Sequence, residues 1–137
     1  MFDKILLAVD GSESSERATK VAADLAKASG GEVVVFHGRE REIGRGGVLD
    51  LETPAEANEL VDENVRTLKD AGVSARGEAR NALIGYVAKE IVAMAKIETA
   101  DVIVMGTRGL SDWGGLFLGS TAHRVIHLAE VPVLVTR

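Results

Sequence analysis

Glycine and hydroxyl residues are concentrated between residues 106 and 121, where they could form a phosphate-binding loop. An apolar run, Val102–Met105, is followed by the glycine-rich part, and Gly119-Ser120 then opens a segment with helical spacing. Glycine lets backbone N–H groups approach a ligand closely, and the first turn of a helix leaves N–H donors unpaired. A strand, a glycine loop and a helix N-terminus can therefore hold an anion, most often a phosphate. The alternative, in which these glycines only turn the chain, stays open. The glycines before the helix are Gly106, Gly109, Gly114 and Gly115.

A carboxylate, Asp10, ends the first predicted strand and is followed by Gly11. In open α/β sheets, ligands bind beyond the carboxyl ends of the strands, where the strand order reverses. If the first and fourth predicted strands are central neighbours, Asp10 and Gly106 face one crevice. The carboxylate can then accept hydrogen bonds from ribose hydroxyls while the glycine loop holds phosphates. Because Asp-Gly is also a common turn pair, a turn role for Asp10 remains an alternative.

Apolar segments alternate with helical patterns along the whole chain. Near-continuous apolar strands that alternate with helices indicate a parallel sheet covered by helices on both faces. We therefore predict one α/β domain over residues 1–137, a doubly wound, five-stranded parallel sheet of Rossmann-like type. The proline in the last strand favours a sheet edge or a strand start. The predicted strands are Lys4–Val9, Glu32–His37, Val73–Arg80, Val102–Met105 and Val131–Thr136.

Polar residues mark the predicted helix starts. Ser12 is expected to cap the first helix, and Thr53-Pro-Ala-Glu56 predicts a capping box at the second. Asn81 is predicted to cap the third helix, with Leu83 and Ile84 facing inward. The segment Gly38–Leu51 has no apolar period, so we expect an exposed, mobile loop in which Arg39 is solvated.

The bulk composition excludes several classes of protein. The net charge of −5 argues against a nucleic-acid or anionic-membrane surface, and the 46% of hydrophobic residues indicates a globular chain. The absence of cysteine excludes disulfides and thiol catalysis. No apolar run approaches the length of a membrane span, and the N-terminus enters a strand pattern without the features of a signal peptide. We therefore expect a cytoplasmic protein.

The glycine loop resembles a known signature. Gly106-x-x-Gly109, nine residues and then Gly119-Ser120 match the spacing of the nucleotide-binding signature of the universal stress protein family. The resemblance covers nearly the whole chain, because the segments 4–12, 33–37 and 131–135 also look like strands of that family. It implies an adenine nucleotide alpha hydrolase-like fold, ATP as ligand and a homodimer formed through Val131–Val135. Mg²⁺ would be bound through the phosphates of ATP.

The same resemblance implies roles for individual residues. Asp10 and Gly106 would hold the ribose, while Val9 and Met105 would line the nucleoside pocket. Hydrogen bonds to the phosphates would come from the backbone and hydroxyls of Gly109, Gly119, Ser120 and Thr121.

One position departs from the family. The residue after His37 is usually a valine whose backbone reads the edge of the adenine, and here it is Gly38. The backbone hydrogen bonds can survive this change, whereas the packing of a side chain on the base is lost.

No catalytic set is evident in the sequence. Serine, histidine and acidic residues are not spaced as a triad, and no residue is placed to orient a water for hydrolysis. His123 and His127 have the spacing of a metal pair, but we interpret them as solvated residues of one helix face. Three functions remain: an ATP-binding stress-response or signalling switch, a slow ATPase or phosphotransferase, and a dimeric interaction module with a vestigial cleft.

Overall fold

The computed structural model describes residues 1–107 and 118–137. In these residues the chain forms six strands and four helices, which alternate except where β3 follows β2 directly. The strands are β1 (Lys4–Ala8), β2 (Glu32–Gly44), β3 (Gly47–Asp50), β4 (Ala75–Leu83), β5 (Val102–Gly106) and β6 (Val133–Thr136), and the helices are α1 (Glu13–Ser29), α2 (Pro54–Asp70), α3 (Val87–Ile97) and α4 (Ser120–Leu128).

Five of the strands form the predicted parallel sheet, in the order β4-β2-β1-β5-β6. The chain begins at the centre with β1, builds one side through β2 and β4, and then crosses to β5 and β6. The strand order therefore reverses between β1 and β5, where Ala8 pairs with Met105. The prediction of a doubly wound α/β sheet is confirmed.

Each face of the sheet carries its own layer of helices. On one face, Ile5 and Leu7 pack with α1 and α2. On the other face, Leu6 and Ala8 pack with α3 and α4. This alternation follows from the two-residue period of a strand, and it explains why β1 is apolar at every position from Ile5 to Ala8. The burial of each leucine contributes roughly 2 kcal/mol to folding.

The segment predicted as an exposed, mobile loop is a β-hairpin. Strand β2 continues past His37 to Gly44, and β3 pairs with it in antiparallel fashion from Arg41↔Asp50 to Gly44↔Gly47. The extension is polar, so its sequence lacks the apolar pattern of a strand. Backbone pairing supports it, because β4 stays in register with β2 as far as Arg41↔Leu83.

Asn81 is not a helix cap. It lies in β4 opposite Arg39, and its side-chain oxygen accepts a hydrogen bond from Arg39 Nε at 2.8 Å. Helix α3 starts later, at Val87, and its N-cap residue makes no side-chain hydrogen bond to the helix. Strand β4 extends to Leu83, so Leu83 is not part of a helix. The side chains of Leu83 and Ile84 are exposed, contrary to the prediction that they face the core.

The other predicted helix signals are confirmed. The hydroxyl of Ser12 accepts a hydrogen bond from the Ser15 N–H at 3.2 Å. Thr53 and Glu56 form the reciprocal capping box at the start of α2. Gly30 ends α1 in the left-handed conformation, at φ 73°. None of the helices in the described part of the chain combines the length and the apolar character that a membrane span needs.

An ion pair joins the start of β4 to the end of α3. Both guanidinium nitrogens at the tip of Arg76 donate to the carboxylate of Glu98. This hydrogen bonding raises the pKa of Arg76 and lowers the pKa of Glu98. The pair lies at the amino end of the sheet, away from the ends of β1 and β5.

A threonine occupies a backbone conformation that favours glycine. Thr99 follows α3 with φ 52°, and Ala100 N–H donates to Ala95 O at 2.8 Å across it. This arrangement is a glycine-type helix end in which a β-branched residue takes the left-handed position.

We expect Thr99→Gly to raise the free energy of unfolding by about 0.5–1 kcal/mol, because relief of the left-handed strain exceeds the added chain entropy. Urea denaturation measures this value. Gly30→Ala is the converse control, since it places a side chain at φ 73° and should destabilise the protein. A Thr99→Gly variant less stable than the wild type would show that Thr99 is not strained.

Candidate functional site

The carboxyl ends of β1 and β5 define one edge of the sheet at the point where the strand order reverses. Because these strands are parallel neighbours, Asp10 and Gly106 follow their last paired residues at the same edge. The N-termini of α1 and α4 begin there as well. These strand ends and helix starts therefore frame the crevice that the sequence predicts, in the position where open α/β sheets bind ligands.

Asp10 shapes the turn through one of its two carboxylate oxygens. Its Oδ1 accepts hydrogen bonds from Ser12 N–H at 2.9 Å and from Ser12 Oγ at 2.6 Å. Its Oδ2 accepts none from residues 1–107 or 118–137. The turn role considered in the sequence analysis is therefore present, and it uses only Oδ1 within the described residues.

Gly106 allows α1 to approach the end of β5. A Cβ built on Gly106 would lie 2.7 Å from the carbonyl carbon of Ser14 and 2.8 Å from the nitrogen of Ser15. Both distances are too short for a real side-chain carbon, and both partners are backbone atoms. The first turn of α1 therefore packs directly on the strand end, which is a packing role that the glycine pattern alone did not reveal.

The N-terminus of α4 supplies backbone donors at the same edge. Gly119 is the N-cap residue; its N–H donates to Thr107 O at 2.5 Å, and its C=O accepts from His123 N–H at 3.0 Å. The N–H groups of Ser120 and Thr121 are in the first turn, where a helix offers no acceptor. They have no partner in the described residues, whereas Gly109 lies outside them.

Val9 and Met105 belong to opposite faces of the sheet. Both side chains are buried, Val9 with α1 and α2 and Met105 with α3 and α4. The carbonyl oxygen of Val9 lies 2.8 Å from Nδ1 of His37. The side chains of Val9 and Met105 are therefore part of the two core layers. Only the strand ends that carry these residues lie at the crevice.

Gly38 lies within β2, opposite Arg80 of β4. A Cβ at this position would lie 3.0 Å from Val87 Cγ1, so the glycine lets α3 pack closely on β2. Phe36 O accepts from Val9 N–H on the β1 side, and Arg41 O accepts from Ile84 N–H on the β4 side. Because backbone groups alternate along a strand, those of Gly38 point to the β1 side, beyond the end of β1.

Two polar side chains that the sequence analysis did not select are buried beside this edge. His37 and Arg39 are only 7% and 6% exposed, so the expectation that Arg39 is solvated is wrong. The signal was present in the alternation: residues 33, 35, 37 and 39 share one face of β2, and the first two are buried valines. Because His37 and Arg39 are polar residues on an otherwise apolar face, the sequence pattern did not indicate that the strand continues past His37.

The two histidines of α4 point into solvent. His123 and His127 are exposed, and their rings stack with centroids 6.4 Å apart. In the described residues, no group of three histidine, cysteine or acidic side chains lies close enough to hold a metal ion.

Comparison with known proteins gives one consistent answer. The profile of the Universal stress protein family matches residues 1–137. A universal stress protein of Thermus aquaticus is 39% identical over 137 residues, with all of both chains covered. A solved universal stress protein of Archaeoglobus fulgidus in complex with dAMP has a TM-score of 0.73 and 28% identity, covering 100% of this chain and 98% of that chain. A universal stress protein in complex with cAMP has a TM-score of 0.72 and 26% identity, covering 99% and 97%.

We expect Gly106→Ala to lower the free energy of unfolding by about 1–3 kcal/mol, because the new methyl group would overlap the backbone of α1. Gly46→Ala is the matched control, since a Cβ there meets nothing within 4 Å. Chemical denaturation of both variants makes the comparison. Equal stability of the two would mean that α1 does not rest on the end of β5.

Proposed function

Because the chain belongs to the universal stress protein family, we propose that it binds ATP in the crevice between the ends of β1 and β5 and acts as a nucleotide-dependent stress-response or signalling switch. Hydrolysis, where it occurs, is slow. Mg²⁺ enters with the nucleotide, bound through its phosphates. The proposed role fits a cytoplasmic location, because the cytoplasm contains ATP.

One observation carries the proposal: a carboxylate oxygen and a helix N-terminus share the edge at which the strand order reverses. Oδ2 of Asp10 accepts no bond from the described residues, and the first-turn amides of Ser120 and Thr121 have no acceptor there. A ribose hydroxyl is a donor and suits Asp10, whereas a phosphate is an anionic acceptor and suits the start of α4. A nucleotide carries both groups.

The adenine has a matching position at Gly38. The backbone N–H and C=O of Gly38 point to the β1 side beyond the end of β1, which leaves one donor and one acceptor for the edge of a base. The dAMP and cAMP complexes of related proteins support an adenine nucleotide as the ligand class. By this proposal ATP, with its three phosphates, also reaches the start of α4.

Slow turnover follows from what surrounds the phosphates. The helix start offers backbone N–H groups and the hydroxyls of Ser120 and Thr121, which bind charge but do not take a proton from water readily. The first turn of α4 carries no acidic residue that could orient an attacking water. By this proposal a bound nucleotide is held and not rapidly consumed.

We expect Asp10→Ala to weaken the binding of Mg-ATP by about tenfold or more, because the ribose hydroxyl loses a charged acceptor and the turn loses its hydrogen bonds to Ser12. Isothermal titration calorimetry at neutral pH measures the affinity. Asp10→Asn separates the two effects. Its amide oxygen can still accept the hydrogen bonds from Ser12, while an NH2 group, which can only donate, replaces the accepting Oδ2.

Asp24→Ala, an exposed change on α1, is the matched control and should bind as the wild type does. Purified wild-type protein that binds no adenine nucleotide would overturn the proposal. Steady phosphate release that Ser120→Ala and Gly109→Val abolish would favour an enzyme over a switch.

We also propose that two copies associate through the edge strand at Val131–Val135. Strand β6 pairs with β5 on one side, and Ile103 N–H and Thr107 N–H donate to Pro132 O and Thr136 O. By alternation, the backbone groups of Val133 and Val135 point away from β5, and no strand of the described residues pairs with β6 on that side. Pairing with a second β6 would satisfy them.

Val135→Pro removes one outward N–H without touching the ladder to β5, so we expect a folded monomer in place of a dimer. Light scattering at micromolar concentration gives the mass, and circular dichroism confirms that the variant is folded. A wild-type protein that is monomeric under these conditions would contradict the proposed dimer.

A further inference from the structure

Glu52 holds the residues on both sides of Gly38. Its carboxylate oxygen Oε1 lies 2.6 Å from Nε2 of His37, and its backbone oxygen accepts from Nη1 of Arg39 at 3.1 Å. Arg39 also donates from Nε to Asn81 on β4. Glu52 lies between β3 and α2, so this one residue ties the base of the hairpin to the strand edge that Gly38 presents.

The hydrogen bonds of His37 require a shared proton. Nδ1 of His37 faces the carbonyl oxygen of Val9, which can only accept, so Nδ1 carries a hydrogen. The contact between Nε2 and the carboxylate then needs a second proton, on the imidazole or on the acid. Without it, a nitrogen lone pair would face a carboxylate at 2.6 Å in a site where the side chains are only 8% and 25% exposed.

A glycine needs such support at this place. Glycine has the widest backbone freedom of any residue, and a flexible edge loses conformational entropy when it binds a rigid base. His37 and Arg39, which flank Gly38, point to the face of β2 opposite to Val87. Their bonds to Glu52 therefore restrain the backbone of Gly38 without occupying the position of a base.

We propose that Glu52 is a positioning residue for the nucleotide: through His37 and Arg39 it fixes the backbone edge of Gly38, and it does so while it shares one proton with His37. This proposal rests on the proposed function and concerns the same crevice. It makes the affinity for adenine nucleotide depend on the side chain at position 52.

The test compares wild type, Glu52→Gln and Glu52→Ala. The affinity for Mg-ATP is measured by calorimetry at neutral pH. The informative quantity is the ratio of each variant's dissociation constant to that of the wild type. Glutamine can accept from a protonated His37 or donate to a neutral one, which removes the need for a shared proton.

We expect Glu52→Ala to bind Mg-ATP about tenfold more weakly than the wild type. Glu52→Gln should keep most of the affinity, because its amide can still form a hydrogen bond with Nε2 of His37. Glu59→Gln, an exposed change of the same charge on α2, should bind as the wild type does. Nitrogen-detected NMR of the His37 ring gives a second readout, in which Nδ1 carries a proton and faces the carbonyl oxygen of Val9.

The outcomes are distinct. If the wild type binds and Glu52→Ala binds equally well, the positioning role is wrong and the proposed function stands. If the wild type binds no adenine nucleotide, the proposed function is wrong and this inference falls with it. A His37 ring whose Nδ1 carries no proton would overturn the shared proton by itself.

Discussion

The parallel pairing of β1 with β5 is the constraint on which the candidate site depends. These strands are far apart in the sequence, yet Ile5–Ala8 lie beside Val102–Met105 at the centre of the sheet. Their pairing brings two carboxyl ends to one edge, and each end is followed by a segment that leads to a helix N-terminus. Two sets of helix donors and a carboxylate therefore lie at the same edge of the sheet.

Close packing rather than flexibility explains two of the glycines at this edge. Gly106 lets the backbone of α1 rest on β5, and Gly38 lets Val87 of α3 rest on β2. The two helices lie on opposite faces of the sheet, so each glycine brings one helical layer nearer to the strand ends. The absence of a Cβ can make room for a ligand, and it can equally make room for a helix. An interpretation of these glycines as flexible positions alone would therefore miss their packing role.

The sequence predicted the core of the fold well because apolar periodicity reports burial. It identified the five parallel strands, the neighbours β1 and β5, and the caps at Ser12 and Thr53. It failed at the hairpin after His37 and at Asn81, where backbone pairing and polar contacts replace apolar burial. The positions of Asp10 and Gly106 could be predicted, since they follow apolar strands. The roles of Arg39 and Glu52 could not, because their partners are distant in the sequence and polar.

The hairpin and the glycine at position 38 are best understood together. Gly38 is paired with β4 on one side of β2, and hydrogen bonds to Glu52, the residue that leads out of the hairpin, hold both of its neighbours. The hairpin needs few apolar residues for this task, since its geometry is set by pairing with β2 and by hydrogen bonds at its base. The buried charges beside it are matched to polar partners: Arg39 to Asn81 and the backbone of Glu52, and His37 to a carbonyl and a carboxylate. Burial of these paired groups costs less free energy than burial of unpaired polar groups. Hydrogen bonds are also more directional than apolar contacts. A polar strand extension can therefore hold a backbone edge in a fixed position, whereas an apolar one would only cover it.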